Sequence, residues 1–173
     1  TDIAGGLTCA GIYLPFCGEG DRYTVRPLYY AMLLFHQAGV GRMVPAQVSA
    51  SGGANVTTHA VLADDGSVRV ALINKEAATS ANVSVTTPTV PADGSAGVMR
   101  LLGSSLGART GVTLGGTSVA GDGRWTPAPL EEVERSGGAW HVHLPPGSAA
   151  LLFIGARSNS LAVRHPEPQR TPK

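Results

Sequence analysis

Few side chains in this sequence have the types and spacing that chemistry requires. Glu131, Glu132 and Glu134 cluster behind the proline-bearing segment TPAP. Two carboxylates about 5 Å apart can cleave a glycosidic bond with retention, but such pairs usually come from distant strand ends of one scaffold. A charged turn ahead of a strand is ordinarily just solvated, so these glutamates read as a turn and form no convincing pair. Asp64 and Asp65 immediately precede Gly66 and read as turn residues. His141 and His143 alternate with Trp140, Val142 and Leu144, so strand geometry sets two imidazoles side by side on one face, as metal ligands can be. No third ligand is evident, and the exposed face of a half-buried strand accounts for the pattern. His36 and His59 read as packing or hydrogen-bonding groups, because no Ser or Cys lies in a nucleophile-elbow context. The sequence therefore assigns no catalytic residue, no metal ligand and no cofactor.

Aromatic and sulfur groups leave more room. Tyr13 lies in the segment GIYLPF and joins no apolar period, so its ring and hydroxyl either face a ligand or pack the loop on its own helix. Arg22, Tyr23 and Arg26 follow closely, and an arginine or tyrosine there can hydrogen-bond a carboxylate or a sugar hydroxyl. Cys9 and Cys17 flank the same segment. Their spacing fits either a small disulfide ring or two free thiols, and two cysteines without a second pair do not make a structural zinc site.

The elements that must position these groups are one helix and a series of strands. RPLYYAMLLFHQA, Arg26 to Ala38, is apolar on nearly every face; Pro27 suits its first turn and Gly39 with Gly41 stops it. Such a helix has to be covered all round. No second helix is available to do so, and we read residues 1–42 as a long loop plus the terminal helix (27–38) of a larger domain lying upstream. Tyr29 and Tyr30 fall in its core. From Met43 the pattern changes to short runs separated by turn signals: VPAQVSA, VTTHAVLA, SVRVALIN, ANVSVTT, GVMRLLG, a loop-rich stretch, WHVHLP and AALLFI. That rhythm predicts a mainly β fold, an antiparallel β-sandwich of about seven to nine strands over residues 43–155. Asp64-Asp65-Gly66 marks its clearest hairpin, with Val68, Val70 and Leu72 alternating inward. Residues 156–173, rich in proline and charge, read as a disordered tail.

Composition excludes several roles. The 173 residues are 43% apolar and 14% charged, with a formal net charge of +1, which supports a packed core but leaves no basic footprint for nucleic acid. No apolar run reaches the roughly 20 residues of a membrane-spanning helix, and the first residues do not read as a targeting segment. Asn55-Val56-Thr57 and Asn82-Val83-Ser84 are glycosylation sequons that would matter only in a eukaryotic secretory setting.

GIYLPF, YTVRPLYYAMLLFHQAG, VRVALINKE, VTLGG and WHVHLPPGSAALL together resemble the C-terminal part of glycoside hydrolase family 79, the β-glucuronidase and heparanase-like group, over residues 11 to 154. The resemblance implies a (β/α)8 barrel carrying a β-sandwich, a retaining mechanism, and two catalytic glutamates on barrel strands outside this sequence. It implies a carbohydrate substrate, a β-glucuronide or related glycan, and an upstream catalytic barrel in the same protein as partner. It also places Tyr13 near a uronate carboxylate, with Gly11 and Ile12 as backbone contacts to substrate. Cys9 and Cys17 match no pattern of that family. Two other readings remain open: a carbohydrate-binding sandwich, which would need Trp125 or Trp140 as an exposed platform, and a purely structural domain that covers a neighbour.

Overall fold

A computed structural model of the chain describes residues 13–19, 22–88 and 94–155; the tail expected to be disordered lies outside them. In chain order the elements are β1 (Phe16–Glu19), β2 (Arg22–Val25), α1 (Pro27–Ala38), β3 (Gly41–Met43), β4 (Gln47–Ala50), a short 3-10 turn (Ser51–Gly53), β5 (Val56–Ala63), β6 (Val68–Asn74), β7 (Ala81–Thr86), β8 (Ala96–Leu102), β9 (Thr113–Leu114), β10 (Glu131–Glu132), β11 (Arg135–Ser136), β12 (Ala139–Leu144) and β13 (Ala149–Ile154). The fold is mainly β and antiparallel, as the turn rhythm predicts.

Two sheets pack face to face. One has seven strands, in the order β10-β8-β13-β6-β5-β3 with β9 added to β8, and the other runs β11-β12-β7-β4. Inward residues of both sheets, among them Val68, Val70, Leu72, Val83, Val85, Trp140, Val142, Leu144 and Leu152, form one core. The seven-stranded sheet is covered on its other face too. Met99, Ala149, Leu151 and Phe153 meet Tyr30 and Leu34 of α1 and Val112, Leu114 and Trp125 of the segment after β8 in a second core. β13 lies between the two cores and is buried at every position, which is why AALLFI is a continuous apolar run, while β6 beside it alternates between buried and half-buried positions.

The β5–β6 hairpin forms at the expected place. Gly66 takes φ 80° and its N–H donates to the Ala63 carbonyl, a backbone turn that a side chain at this position would strain. Asp65 accepts hydrogen bonds from the backbone N–H and hydroxyl of Ser67 and, at 3.2 Å, from Arg69 Nη2. Arg69 Nη1 also donates to the Gln37 carbonyl at 3.1 Å, and its guanidinium carbon lies 5.9 Å from the centre of the Phe153 ring. This cation thus ties the hairpin to the C-terminal end of α1, the end whose dipole favours positive charge. Gly39 makes room for it: at φ 78°, an added Cβ would fall 2.3 Å from Arg69 Nη1.

The Asp65 carboxyl is held below its ordinary value of 3.8, chiefly by the Ser67 hydroxyl and further by Ser67 N–H and Arg69, against a partial burial that works the other way. Because the folded value lies below the unfolded one, the stabilisation is complete above about pH 4 and disappears as pH falls through the folded value. We expect Asp65→Asn to remove that part of the acid dependence, read as a smaller loss of denaturant midpoint between pH 6 and pH 3 than in the parent.

Three short elements differ from the sequence reading. β1 and β2 pair from Phe16↔Val25 to Glu19↔Arg22 where a loop was expected, because four residues with one glycine carry too little alternation to register as a strand. Glu131 and Glu132 form not a solvated turn but an edge strand on Gly97 and Val98. Glu131 takes Arg100 Nε at 2.9 and 3.1 Å, while Arg100 Nη1 reaches the His143 carbonyl of the opposite sheet at 2.6 Å. Glu131 is therefore part of a clamp between sheets.

Candidate functional site

The segment before α1 is held by backbone bonds rather than by its aromatic rings. Arg26 is extended, with φ −101° and ψ 164°, and its N–H donates to the Pro15 carbonyl at 2.8 Å. That bond closes the base of the β1–β2 hairpin and sets the chain's entry into the helix. The aromatic side chains stay outside: Tyr13 is 84% exposed and Tyr23 55%, with the Phe16 and Tyr23 rings edge to face, 6.4 Å between centres. Gly11 and Ile12 lie outside the described residues. Cys17 is disulfide-bonded, so the reading with two free thiols fails for it; the chain's one other cysteine, Cys9, also lies outside the described residues.

The helix shows two faces that its composition does not separate. Tyr30 and Leu34 are buried on the sandwich, whereas Leu28, Met32 and Phe35, spaced to share the opposite face, are 38, 55 and 81% exposed. Val40 and Met43, just beyond the helix, are exposed as well. A stripe of this kind on an otherwise well-packed element marks a surface built to be covered.

A cleft of about 320 Å³ opens where β2, the start of α1 and residues 109–121 meet. Its walls carry Tyr23, Thr24, Tyr30, Arg109, Thr110 and Ser118 among others. Tyr30 anchors the floor, its hydroxyl accepting the Val119 N–H at 3.0 Å. Sequence reading passed over this site because residues 103–130 carry no period; the usable signal was an arginine, a threonine and a serine in a long ordered loop, a place where function concentrates. A second cleft, of about 400 Å³, lies beside Asn74, Leu101 and Gly147. Neither is lined by an Asp or a Glu.

The remaining candidates resolve into structural roles. His141 bridges Ser84 Oγ at 3.0 Å and the Ser136 carbonyl at 3.1 Å, and His143 meets Asn82 Oδ1 at 2.8 Å. Both imidazoles are on the exposed face of β12 and bond along their own sheet. Among the described residues no group of three or more His, Cys, Asp or Glu side chains is placed to hold a metal ion. Trp125 and Trp140 are 5% and 0% exposed. Trp125 donates Nε1–H to the Leu114 carbonyl at 3.0 Å and Trp140 to the Gly94 carbonyl at 3.3 Å. Neither offers a ring for sugar stacking.

Taken with its packing, this topology defines an antiparallel β-sandwich domain with an added helix-and-loop layer. Residues 58–151 match the family model of the glycosyl hydrolase family 79 C-terminal beta domain, and the chain belongs to that family. Among solved structures it is similar to the GH51 arabinofuranosidase from Xanthomonas axonopodis pv. citri, at 21% identity and a TM-score of 0.58, covering 81% of this chain and 28% of that one. It is also similar to CelM2, a bifunctional glucanase-xylanase protein from a metagenome library, at 24% identity and a TM-score of 0.53, covering 76% and 22%. At these identities the likeness is one of fold, and the chain spans between a fifth and a third of those proteins' length. A search of curated proteins finds no match. Together these results make the chain a glycoside hydrolase-associated domain, and among the described residues no helix is long and apolar enough to cross a membrane.

Proposed function

We propose that this domain braces the (β/α)8 catalytic barrel of a retaining glycoside hydrolase that acts on β-glucuronides or related glycans, and that it is inactive alone. The observation that carries the reading is the bare apolar stripe of α1, Leu28, Met32 and Phe35, on a chain whose family is the C-terminal beta domain of glycosyl hydrolases. A helix with one face on the sandwich and an equally apolar face outward suits a shared wall between two domains. The barrel of the same polypeptide is the occupant this stripe fits, since the helix itself then belongs to both layers. The catalytic glutamates fall to the barrel, in keeping with two carboxylate-free clefts here. On this reading Tyr13, whose side chain is exposed, meets the substrate carboxylate, with Gly11 and Ile12 as backbone contacts.

The experiment is hydrolysis of p-nitrophenyl β-glucuronide by the polypeptide that carries the upstream domain together with this chain. Release of p-nitrophenol by that protein, and none by the present chain, is the expected result. No turnover of this or related aryl glycosides by the longer polypeptide would defeat the assignment.

A further inference from the structure

We propose that the cleft between β2, the start of α1 and residues 109–121 is a binding site for the carboxylate of an acidic sugar, with Arg109 as its anion-binding group. The ligand's being a sugar rests on the glycan-acting reading above; its charge and its place rest on the cleft. Four features of the walls converge.

The first is the cation. Arg109 lies on an exposed part of the rim, and none of the ion pairs among the described residues involves it. Asp122, next in sequence after the cleft-lining Gly121, is already engaged by Arg124 through Nε at 2.7 Å and N–H at 3.0 Å. A guanidinium offers a planar fork of N–H donors that matches a carboxylate in two parallel bonds. The second is the hydroxyl set. Thr24, Thr110 and Ser118 line the same space, and each can donate to or accept from a sugar hydroxyl.

The third is Tyr30. It is 4% exposed, and its oxygen already accepts the Val119 N–H, which leaves the phenolic proton to donate into the cleft that both residues line. The fourth is shape. About 320 Å³ is near the lower end of small-molecule sites, room for one sugar ring, and Tyr23 supplies a half-exposed ring at the mouth on which the apolar face of a pyranose can lie. The first turn of α1, which reaches the cleft at Pro27, contains no acidic residue, so nothing on that side opposes an anion. A single cation favours a monovalent carboxylate over a doubly charged phosphate.

The test is calorimetric titration of the present chain with glucuronate, with glucose as the uncharged counterpart and glucose 6-sulfate as the alternative anion. Binding of glucuronate in clear preference to both is expected. Arg109→Ala should weaken it by about tenfold, and Arg109→Lys, which keeps the charge but loses the fork, by a smaller factor. Absence of glucuronate binding, affinity unchanged in Arg109→Ala, or glucose bound as tightly would each overturn the site, and equal affinity for the sulfate would overturn the carboxylate assignment. The outcome is separable from that of the hydrolysis experiment. Titration reads this chain alone, so a longer polypeptide that cleaves glucuronides while the chain binds nothing would remove this site and leave the enzyme assignment standing.

Discussion

Replacing Asn74 by alanine should cost about 2–4 kcal/mol of folding stability, a large share of what a domain of this size has. Asn74 ends β6 with its side chain 1% exposed. The two hydrogens of its amide nitrogen serve the carbonyls of Thr79, Pro145 and Leu144 at 2.9, 3.0 and 3.2 Å, one of them shared between two acceptors, and its oxygen accepts the Glu76 N–H at 3.0 Å. One side chain thereby holds the loop after β6 against the turn joining β12 to β13. The Thr79 carbonyl is on an exposed residue and can turn to water, but the Leu144 carbonyl is buried and cannot. Losing the amide leaves it without that donor, which is costlier than the bond itself was worth. Asn74→Asp sharpens the test, because its volume is nearly unchanged while its oxygens now face three carbonyl oxygens. The aspartate variant should be less stable than the alanine variant at pH 7. It should recover in part toward pH 4, where a protonated carboxyl can donate one bond. Urea unfolding at both pH values reads this directly, and an Asn74→Ala midpoint equal to the parent's would refute the network.

Asn74 also shows what was legible in the sequence. Val68, Val70 and Leu72 alternate inward, and position 74 continues that parity, so the register already placed an amide in the core. The long strands were readable either from a period of two, as in β6, β7 and β12, or, for AALLFI, from a short continuous apolar run bounded by turn residues: every run from VTTHAVLA to AALLFI became a strand. β3, β9, β10 and β11 have only two or three residues. A run so short has no period to detect, and its pairing is decided by the neighbour it meets. The helix was plain from RPLYYAMLLFHQA but its orientation was not, since apolar residues all round leave no preferred face. Only contact with Met99, Leu151 and Phe153 selects Tyr30 and Leu34.

The candidate site was legible only in part, for a related reason. Clefts form from chain segments that are distant in sequence, here β2 and a loop more than eighty residues later, and no local pattern encodes their meeting. Tyr23 stood out as an aromatic in a polar stretch. Arg109, Thr110 and Ser118 did not, because each is an ordinary loop residue until the fold sets it opposite the helix start. Trp125 could serve as an exposed platform on its loop position alone, but its burial in the second core and its bond to the Leu114 carbonyl make it a packing residue.

Trp140→Ala should be the most damaging single substitution in the sandwich, at about 3–5 kcal/mol, as expected when a fully buried indole is cut to a methyl group. The ring is 0% exposed in the core between the sheets, its N–H is spent on the Gly94 carbonyl, and Arg135 lies 4.7 Å above it. Trp140→Phe keeps most of the volume but not the donor, so it should cost less, about 1–2 kcal/mol. The difference between the two separates packing from hydrogen bonding. Trp125 is the other tryptophan of the chain, and in Trp140→Phe it alone reports unfolding by fluorescence. The same pair of variants bears on function. If Trp140 were a sugar platform, Trp140→Phe would lose glycan affinity while remaining nearly as stable as the parent. For a core residue the order is reversed: stability falls first, and glucuronate affinity at the Arg109 cleft, on the far side of the seven-stranded sheet, should stay within about twofold while the domain remains folded. A loss of affinity in Trp140→Phe at full folding would place the sugar between the sheets' outer edge and Arg135 rather than in the cleft.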